Sequence, residues 1–340
     1  MTTKIDIRKR YSKELDALLD REEEKVAFHY NCTDGIVSAT LVKSTFKEKE
    51  LLFLPIDYVL LNANDSLSQK ITNNQWFAIV DLSPFNANTA KLYVDHHISN
   101  VGQRFNAQRV YFVAGAPSTA YLFDKHCNTN LPDFLKELVK MTEITDTASY
   151  KINAPYEFKK EQSEYSWDEK IWLLEDACKT AFTIAEHKEL IEILNTKGWE
   201  GLWKTSILKR IKVLRGKRKE ANKIVSNASA ADLVLIIDKP DHYSIGYITH
   251  ELLHKGAKVG IYATTYDDYV KLSLRLSKRL SEDEINYYRV DNLAKRMNGG
   301  GHKPASGCQT KTLDEAIKII KEWATNKKLS IAIIDLRDHK

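Results

Sequence analysis

The chain has 340 residues, which is long for one domain and comfortable for two. An apolar content of 43% indicates a folded protein, and a net charge of +5 favours anionic ligands too weakly to indicate nucleic-acid binding. No apolar run approaches the roughly 20 residues of a membrane span, and the charged N-terminus lacks the apolar centre of a secretory signal.

The first half alternates short apolar runs with polar or helical stretches. The strand-like runs are residues 25–30, 51–58, 76–83 and 91–97, and the stretch DGIVSATLVKSTF after the first run has a helical pattern. Continuous apolar strands with helical crossovers predict an α/β domain with a parallel sheet and helices on both faces. From about residue 118 the pattern becomes helical.

A basic stretch at residues 208–225 separates this half from the next. Its apolar residues fall on one helical face and its charged residues on the other. The apolar residues are Ile207, Ile211, Leu214, Ala221 and Ile224. The pattern predicts a helix that connects two domains, and the alternative is that its basic face binds nucleic acid. The expected domain bounds are 1–200, 201–226 for the connecting helix, and 227–340.

Strand patterns reappear after the basic stretch. They cover residues 231–238, 258–267 and 269–277, and the last two read as a hairpin. Helical segments near 244–255 and 312–324 are interspersed. These elements predict a smaller α/β domain with a mixed sheet.

Acidic and imidazole side chains follow the strand-like runs of the first half. The set comprises His29, Asp34, Asp81, Asp95, His96, His97 and, after a helical run, Asp146. In parallel sheets the carboxyl ends of the strands share one edge, where ligands bind. Crowded carboxylates and imidazoles repel or desolvate one another unless a cation neutralises them. This donor set suits manganese, iron or zinc, and its oxygen content favours manganese or magnesium.

Each of these residues also has a purely structural interpretation. Asp34 or Asp81 alone is typical of a helix N-cap, Asp146 of a turn cap, and the histidine pair of a polar turn. One metal site explains all the segments together. Two neighbouring cations can activate a water and hold a phosphoryl oxygen, and Asp81 is the candidate for the ligand that bridges them.

The segment MNGGGHKPASG, residues 297–307, is a candidate anion site in the second half. Gly299, Gly300 and Gly301 allow backbone N–H groups to approach a ligand, and His302 adds a donor. A flexible loop and a helix C-cap are the alternatives. Arg275 alternates with apolar neighbours, so it should point away from the core, where it would bind a phosphate or simply be exposed.

In this order the motifs resemble the DHH phosphoesterases that carry the DHH-associated C-terminal domain. The resemblance covers most of residues 25–310; it rests on Asp34-Gly35, Asp81, Asp95-His96-His97, Asp146 in TDT, and GGGH at 299–302. Members of similar length include nanoRNases and phosphatases of 3′-phosphoadenosine 5′-phosphate. The resemblance implies phosphoester hydrolysis with manganese, by two ions, at a cleft between the domains.

The resemblance also implies roles for individual residues. The implied metal ligands are His29, Asp34, Asp81, His96 and Asp146. Asp81 and His97 would be the catalytic residues, with His97 orienting the phosphate or the ligand set. Arg275, Gly299, Gly300, Gly301 and His302 would bind the substrate together with His97.

One position departs from the family pattern. The first motif commonly carries two aspartates, D-x-D, and here Cys32 stands two residues before Asp34. A thiol is a softer ligand and is mostly protonated unless a cation lowers its pKa. Cys32 is therefore a candidate metal ligand, Asn31 a partial oxygen substitute, and Mg²⁺, Fe²⁺ and Zn²⁺ are alternatives to Mn²⁺.

Three functions stay open at this point. The first is hydrolysis of phosphodiester or phosphomonoester bonds in short oligonucleotides or small nucleotides. The second is a single-strand-specific exonuclease, supported by the basic helix. The third is a catalytically silent nucleotide-binding protein that has lost a metal through Cys32. The four scattered cysteines suit a cytoplasmic location; no membrane partner is expected, and a homodimer is compatible with the sequence.

Overall fold

The computed structural model of the chain describes residues 4–61, 65–85, 90–127, 130–226, 231–240 and 245–338. Its internal contacts divide the chain into two units, Met1–Lys212 and Val213–Lys340. The division falls inside the predicted connecting segment 201–226, and the domain bounds 1–200 and 227–340 stay a prediction.

The first unit combines five strands with helices on both sides. The strands are β1 (Glu24–His29), β2 (Leu51–Ile56), β3 (Trp76–Val80), β4 (Ala90–Asp95) and β5 (Ala107–Phe112). The helices before residue 130 are α1 (Lys4–Leu19), α2 (Thr33–Thr45), α3 (Tyr58–Leu61), α4 (Ser66–Asn73) and α5 (Thr119–His126). Those that follow are α6 (Asp133–Asp146), α7 (Trp167–Lys179) and α8 (Ile184–Lys197). Helix α9 (Thr205–Ser226) begins in the first unit and ends in the second.

The five strands form one parallel sheet in the order β2-β1-β3-β4-β5. Alternate residues enter cores on opposite faces: Val26 and Phe28 pack with α2, and Ala27 packs on the side of Tyr11 and Leu15 from α1. The predicted parallel sheet with helices on both faces is confirmed. Strand β5 was not predicted, because it lies at the sheet edge and is half exposed, so it lacks a continuous apolar run.

The second unit has a mixed six-stranded sheet in the order β11-β6-β7-β8-β10-β9. Its strands are β6 (Leu233–Asp238), β7 (Val259–Thr265), β8 (Val270–Leu276), β9 (Gly300–His302), β10 (Ala305–Thr310) and β11 (Ile331–Asp335). Its helices are α10 (Ile245–His254), α11 (Glu282–Tyr288), α12 (Val290–Lys295) and α13 (Leu313–Asn326). The predicted mixed sheet and the β7–β8 hairpin are confirmed.

Part of the second sheet differs from the sequence expectation. Residues 300–302, expected as a loop, form β9 and pair antiparallel with β10. The sequence did not predict this hairpin, because glycine gives no strand signal. The structure leaves room only for glycine at Gly299 and Gly301, where a Cβ would collide with β10.

The basic helix α9 is confirmed as a helix of 22 residues. Its charges do not all lie on the solvent face, because Arg215 and Arg218 are buried with 1% and 2% exposure. Those two arginines therefore share the buried face with Ile211 and Ala221. Within the described ranges, no helix combines the length and the apolar character needed to span a membrane.

Candidate metal centre

The predicted ligands lie where the central strands of the parallel sheet end. Strand β1 ends at His29, β4 ends at Asp95, and Asp81 directly follows β3. The backbone of Asp81 has φ 58°, a left-handed conformation that aspartate adopts at a cost of about 1 kcal/mol or more. Its N–H donates to the carbonyl of Val94 at 3.1 Å, so the neighbouring strand fixes this turn.

Asp34 is fully buried in the first turn of α2. Its two oxygens accept the backbone N–H groups of Thr119 at 2.6 Å and Ala120 at 2.9 Å. The carboxylate thus caps α5, a helix other than its own, which holds it rigidly. Gly35 lets α2 approach β1, because a Cβ there would lie 2.5 Å from the carbonyl oxygen of His29.

His96 provides the clearest evidence for a cation. Its Nδ1 lies 2.8 Å from the carbonyl of Ala116, and since a carbonyl only accepts, Nδ1 carries the proton. The opposite atom, Nε2, is buried and makes no hydrogen bond in the described structure. It lies 3.3 Å from Asp146, 3.5 Å from Asp34 and 3.8 Å from Asp81, measured to carboxylate oxygens. A buried ring nitrogen that makes no hydrogen bond and is surrounded by three carboxylates fits a shared metal ion.

Asp81 connects the two histidines of the neighbouring strands. Its Oδ2 lies 3.3 Å from Nδ1 of His29, and its Oδ1 lies 3.8 Å from Nδ1 of His97. Thr119 donates its hydroxyl to Oδ1 at 3.4 Å. Burial, together with the charge of Asp34, raises the pKa of Asp81 well above its usual range. A nearby cation would stabilise the ionised carboxylate and so lower the pKa of Asp81 again.

Asp95 positions His97 instead of facing the other carboxylates. Its Oδ1 accepts from Nδ1 of His97 at 2.6 Å, and its Oδ2 accepts from the amide of Asn100 at 2.7 Å. Burial alone would lower the pKa of His97, but the hydrogen bond to Asp95 and its charge raise it overall. The Nδ1 contact fixes the ring orientation.

Asp146 is the last residue of α6, where the helix dipole disfavours a negative charge. Burial and the charge of Asp34 raise its pKa to about 6. A carboxylate in this unfavourable position contributes little to helix stability, which supports a role in binding.

The donor atoms form three overlapping groups, each within 4.8 Å. They are His29 with Cys32 and Asp81; Asp81 with His96 and His97; and Asp34 with His96 and Asp146. The structure thus brings together all the predicted ligands, including Cys32. Burial raises the pKa of the Cys32 thiol to about 11, and Asp81 is the one carboxylate of this group.

The predicted substrate residues of the second unit lie on its mixed sheet. Arg275 is exposed on β8 and alternates with buried leucines, as predicted. Gly300 and Gly301 lie in β9, directly after Gly299. The side chain of His302 lies outside the described part of the structure. The substrate contacts of these residues, and the predicted cleft between the domains, stay predictions.

Several residues of the centre were not singled out from the sequence. Thr119 supports both Asp34 and Asp81, and Asn100 supports Asp95. Lys179 donates to the carbonyl of Asn31, next to Cys32. The signal for Thr119 was its position at a helix start after the histidine motif, whereas Lys179 gave no signal because α7 is distant in sequence.

The fold and this centre define a two-unit α/β protein with a candidate metal site at the carboxyl edge of a parallel sheet. No family model and no curated protein matches the sequence. Solved structures do match, and they show that the chain has the fold of the DHH proteins, as the sequence motifs predicted.

Three solved structures illustrate this similarity. A pGpG-specific phosphodiesterase, PggH from Vibrio cholerae, has 18% identity and a TM-score of 0.59, with 90% of this chain and 99% of that chain covered. RecJ from Thermus thermophilus in complex with Mn²⁺ has 12% identity and a TM-score of 0.56, with 97% and 57% covered. A DHH domain from a member of the s1p family of ribosomal proteins has 13% identity and a TM-score of 0.56, with 97% and 92% covered. At these identities the similarity is one of fold.

Proposed function

We propose that the chain is a metal-dependent phosphoesterase that hydrolyses short oligonucleotides or small nucleotides. The observation that carries the proposal is the buried Nε2 of His96, which makes no hydrogen bond in the described structure and lies among the carboxylates of Asp34, Asp81 and Asp146. Without a cation, these carboxylates repel one another, and those of Asp34 and Asp81 are buried away from water. The two donor groups that lack Cys32 contain only carboxylate and imidazole ligands, which favours manganese or magnesium.

The comparisons support a short substrate and manganese. The solved phosphodiesterase is described as specific for pGpG, a dinucleotide, and it and this chain cover nearly the whole of each other. This chain spans 57% of the length of the RecJ structure. The RecJ structures contain Mn²⁺ or Mg²⁺.

Residues of the centre would have distinct roles in holding the cation. Asp34, His96 and Asp146 would hold a cation firmly, because Asp34 and His96 are fixed by backbone groups. Asp81 would join this group to His29. A bound divalent cation supplies positive charge that lowers the pKa of a water and offsets charge on phosphoryl oxygens.

His97 would act on the substrate side. Asp95 holds its Nδ1, which leaves Nε2 as the ring atom available to a phosphoryl oxygen. The raised pKa of His97 means that this ring gains a proton more readily than a free imidazole. In that state Nε2 donates a charge-assisted hydrogen bond. Arg275 and the segment 299–302 are proposed to bind the rest of the substrate.

One observation favours a second function, a catalytically silent nucleotide-binding protein. A thiol is a softer ligand than a carboxylate, so the group that Cys32 forms with His29 and Asp81 would hold a second hard cation weakly. If turnover requires two ions, this chain would bind nucleotides without hydrolysing them.

The test is release of mononucleotides from a labelled dinucleotide and from a labelled 24-mer, with and without Mn²⁺. We expect Mn²⁺-dependent turnover of the dinucleotide and little turnover of the 24-mer. Turnover of both would favour the exonuclease, and binding without turnover of either would favour the silent protein.

Two variants make this assay specific to the centre. Asp81→Asn should abolish turnover, and Asp133→Asn, at a fully exposed position in the first turn of α6, should leave it unchanged. Turnover by Asp81→Asn at the wild-type rate would contradict the proposed site. The predicted cytoplasmic location and homodimer stay predictions.

A further inference from the structure

Lys179 is a cation beside the Cys32 end of the metal centre. It is the last residue of α7, and its ammonium donates to the carbonyl of Asn31 at 3.2 Å. The Asn31 backbone is left-handed, with φ 53°, and its N–H donates to the buried ring of His187 at 3.3 Å. These contacts fix the position of the loop that carries Cys32, and they bring Lys179 to that loop.

The hydrogen bonds of Lys179 are incomplete. An ammonium has three donors, and the carbonyl of Asn31 satisfies one of them. The nearest carboxylate oxygen in an ion pair, Oε1 of Glu175, is 3.8 Å away, beyond hydrogen-bond distance. The other oxygen of Glu175 accepts from the hydroxyl of Thr33. The side chain of Lys179 is 41% exposed.

Lys179 adds positive charge beside a donor group that contains a single carboxylate. That group, His29 with Cys32 and Asp81, has one carboxylate, whereas Asp34, His96 and Asp146 provide two. Lys179 therefore places a cation beside the donor group that contains fewer carboxylates than the group of Asp34, His96 and Asp146.

A structural alternative exists for any lysine at a helix C-terminus. Such a residue interacts favourably with the helix dipole and needs no ligand. Lys197 has this role at the end of α8: it is the last residue of that helix and is exposed. It lies ten residues after His187, about 15 Å along the helix, which makes it a matched control.

We propose that Lys179 binds a phosphoryl oxygen of the substrate directly, on the Cys32 side of the metal centre. This rests on the proposed phosphoesterase function for the identity of the ligand. Lys179 supplies positive charge there, beside a donor group that has only one carboxylate. Its ammonium keeps the hydrogen bond to Asn31 and adds one to the phosphate.

The test measures binding of adenosine 5′-monophosphate in the presence of Mn²⁺ by calorimetry. Lys179→Gln should raise the dissociation constant about tenfold or more, because a charge-assisted hydrogen bond is lost. Lys179→Arg should stay within about threefold of the wild type, since it keeps the charge. Lys197→Gln should bind as the wild type does.

Two further readouts separate binding from a structural effect. Binding of Mn²⁺ alone, followed by electron paramagnetic resonance, should be unchanged in Lys179→Gln, and so should the thermal unfolding midpoint. Weakened nucleotide binding in both Lys179→Gln and Lys179→Arg, with a lower unfolding midpoint, would instead identify a structural lysine and overturn the proposal.

The outcomes also separate this inference from the proposed function. If the wild type binds adenosine 5′-monophosphate through Lys179 but hydrolyses no substrate, the hydrolase proposal fails and the role of Lys179 holds. Equal affinity of the wild type and Lys179→Gln, or no binding by the wild type, overturns the role of Lys179 even if hydrolysis is observed.

Discussion

Replacing Gly299, Gly300 and Gly301 one at a time by alanine should have very different effects on stability. A Cβ at Gly299 would lie 2.2 Å from the carbonyl oxygen of Gly307 and 2.3 Å from Cβ of Cys308. A Cβ at Gly301 would lie 2.7 Å from the carbonyl oxygen of Ala305, and its φ of +136° is strained for any other residue. At Gly300 a Cβ would meet nothing within 4 Å.

These distances set the expected magnitudes. Overpacking against backbone costs about 1–3 kcal/mol, so Gly299→Ala should lose about 1–3 kcal/mol of unfolding free energy. The strained φ at Gly301 adds about 1–3 kcal/mol, so Gly301→Ala should lose about 2–6 kcal/mol. Gly300→Ala should change the free energy of unfolding by less than about 0.5 kcal/mol, or stabilise slightly. For a domain of this size each kcal/mol shifts the midpoint by about 3–5 °C.

Thermal unfolding of the full chain, followed by circular dichroism, measures the series. A drop of roughly 3 °C or more is expected for Gly299→Ala and of roughly 6 °C or more for Gly301→Ala, with no drop for Gly300→Ala. A Gly300→Ala protein as unstable as Gly299→Ala would refute the reasoning from the β9–β10 pairing. If the segment approaches a substrate, Gly300→Ala should weaken nucleotide binding at unchanged stability.

Three further predictions concern the metal centre. Asp81→Asn should raise the unfolding midpoint in the presence of a chelator, because it replaces a buried carboxyl group whose pKa is raised by burial. The same variant should weaken Mn²⁺ binding about 100-fold or more. A lower midpoint would contradict the first expectation. Apparent Mn²⁺ affinity, measured by titration, should fall as the pH drops through about 6, where Asp146 gains a proton; a flat profile between pH 5 and pH 7 would argue against Asp146 as a ligand. Cys32→Asp should tighten binding of a second Mn²⁺, since it replaces a neutral thiol by a charged oxygen donor, and unchanged stoichiometry and affinity would exclude Cys32 from the site.

Local patterns allowed much of the fold to be predicted. The four buried strands β1 to β4 carry apolar runs, and parallel pairing follows from the helical crossovers between them. The edge strand β5 and the hairpin strand β9 carry no such run, since one is half exposed and the other contains two glycines. Their pairing depends on neighbouring strands rather than on their own residues.

The candidate ligands were also predictable, because a parallel sheet brings its strand ends to one edge. The sequence could not assign roles within the set. Asp95 and His96 are adjacent, yet Asp95 binds His97 and Asn100, whereas His96 faces the carboxylates of Asp34 and Asp146. The direction of each side chain depends on the turn after β4 and on the carbonyl of Ala116.

The sequence by itself determined the elements and the kind of chemistry: apolar periodicity defined the strands, and the crowding of acids and imidazoles at strand ends indicated a cation. Only the tertiary structure decided which residues share a donor group, which nitrogen of His96 carries its proton, and that Lys179 lies beside Cys32. The reason is physical, since periodicity is a property of neighbours along the chain, whereas charge and hydrogen bonding act over a few ångströms between residues more than a hundred positions apart.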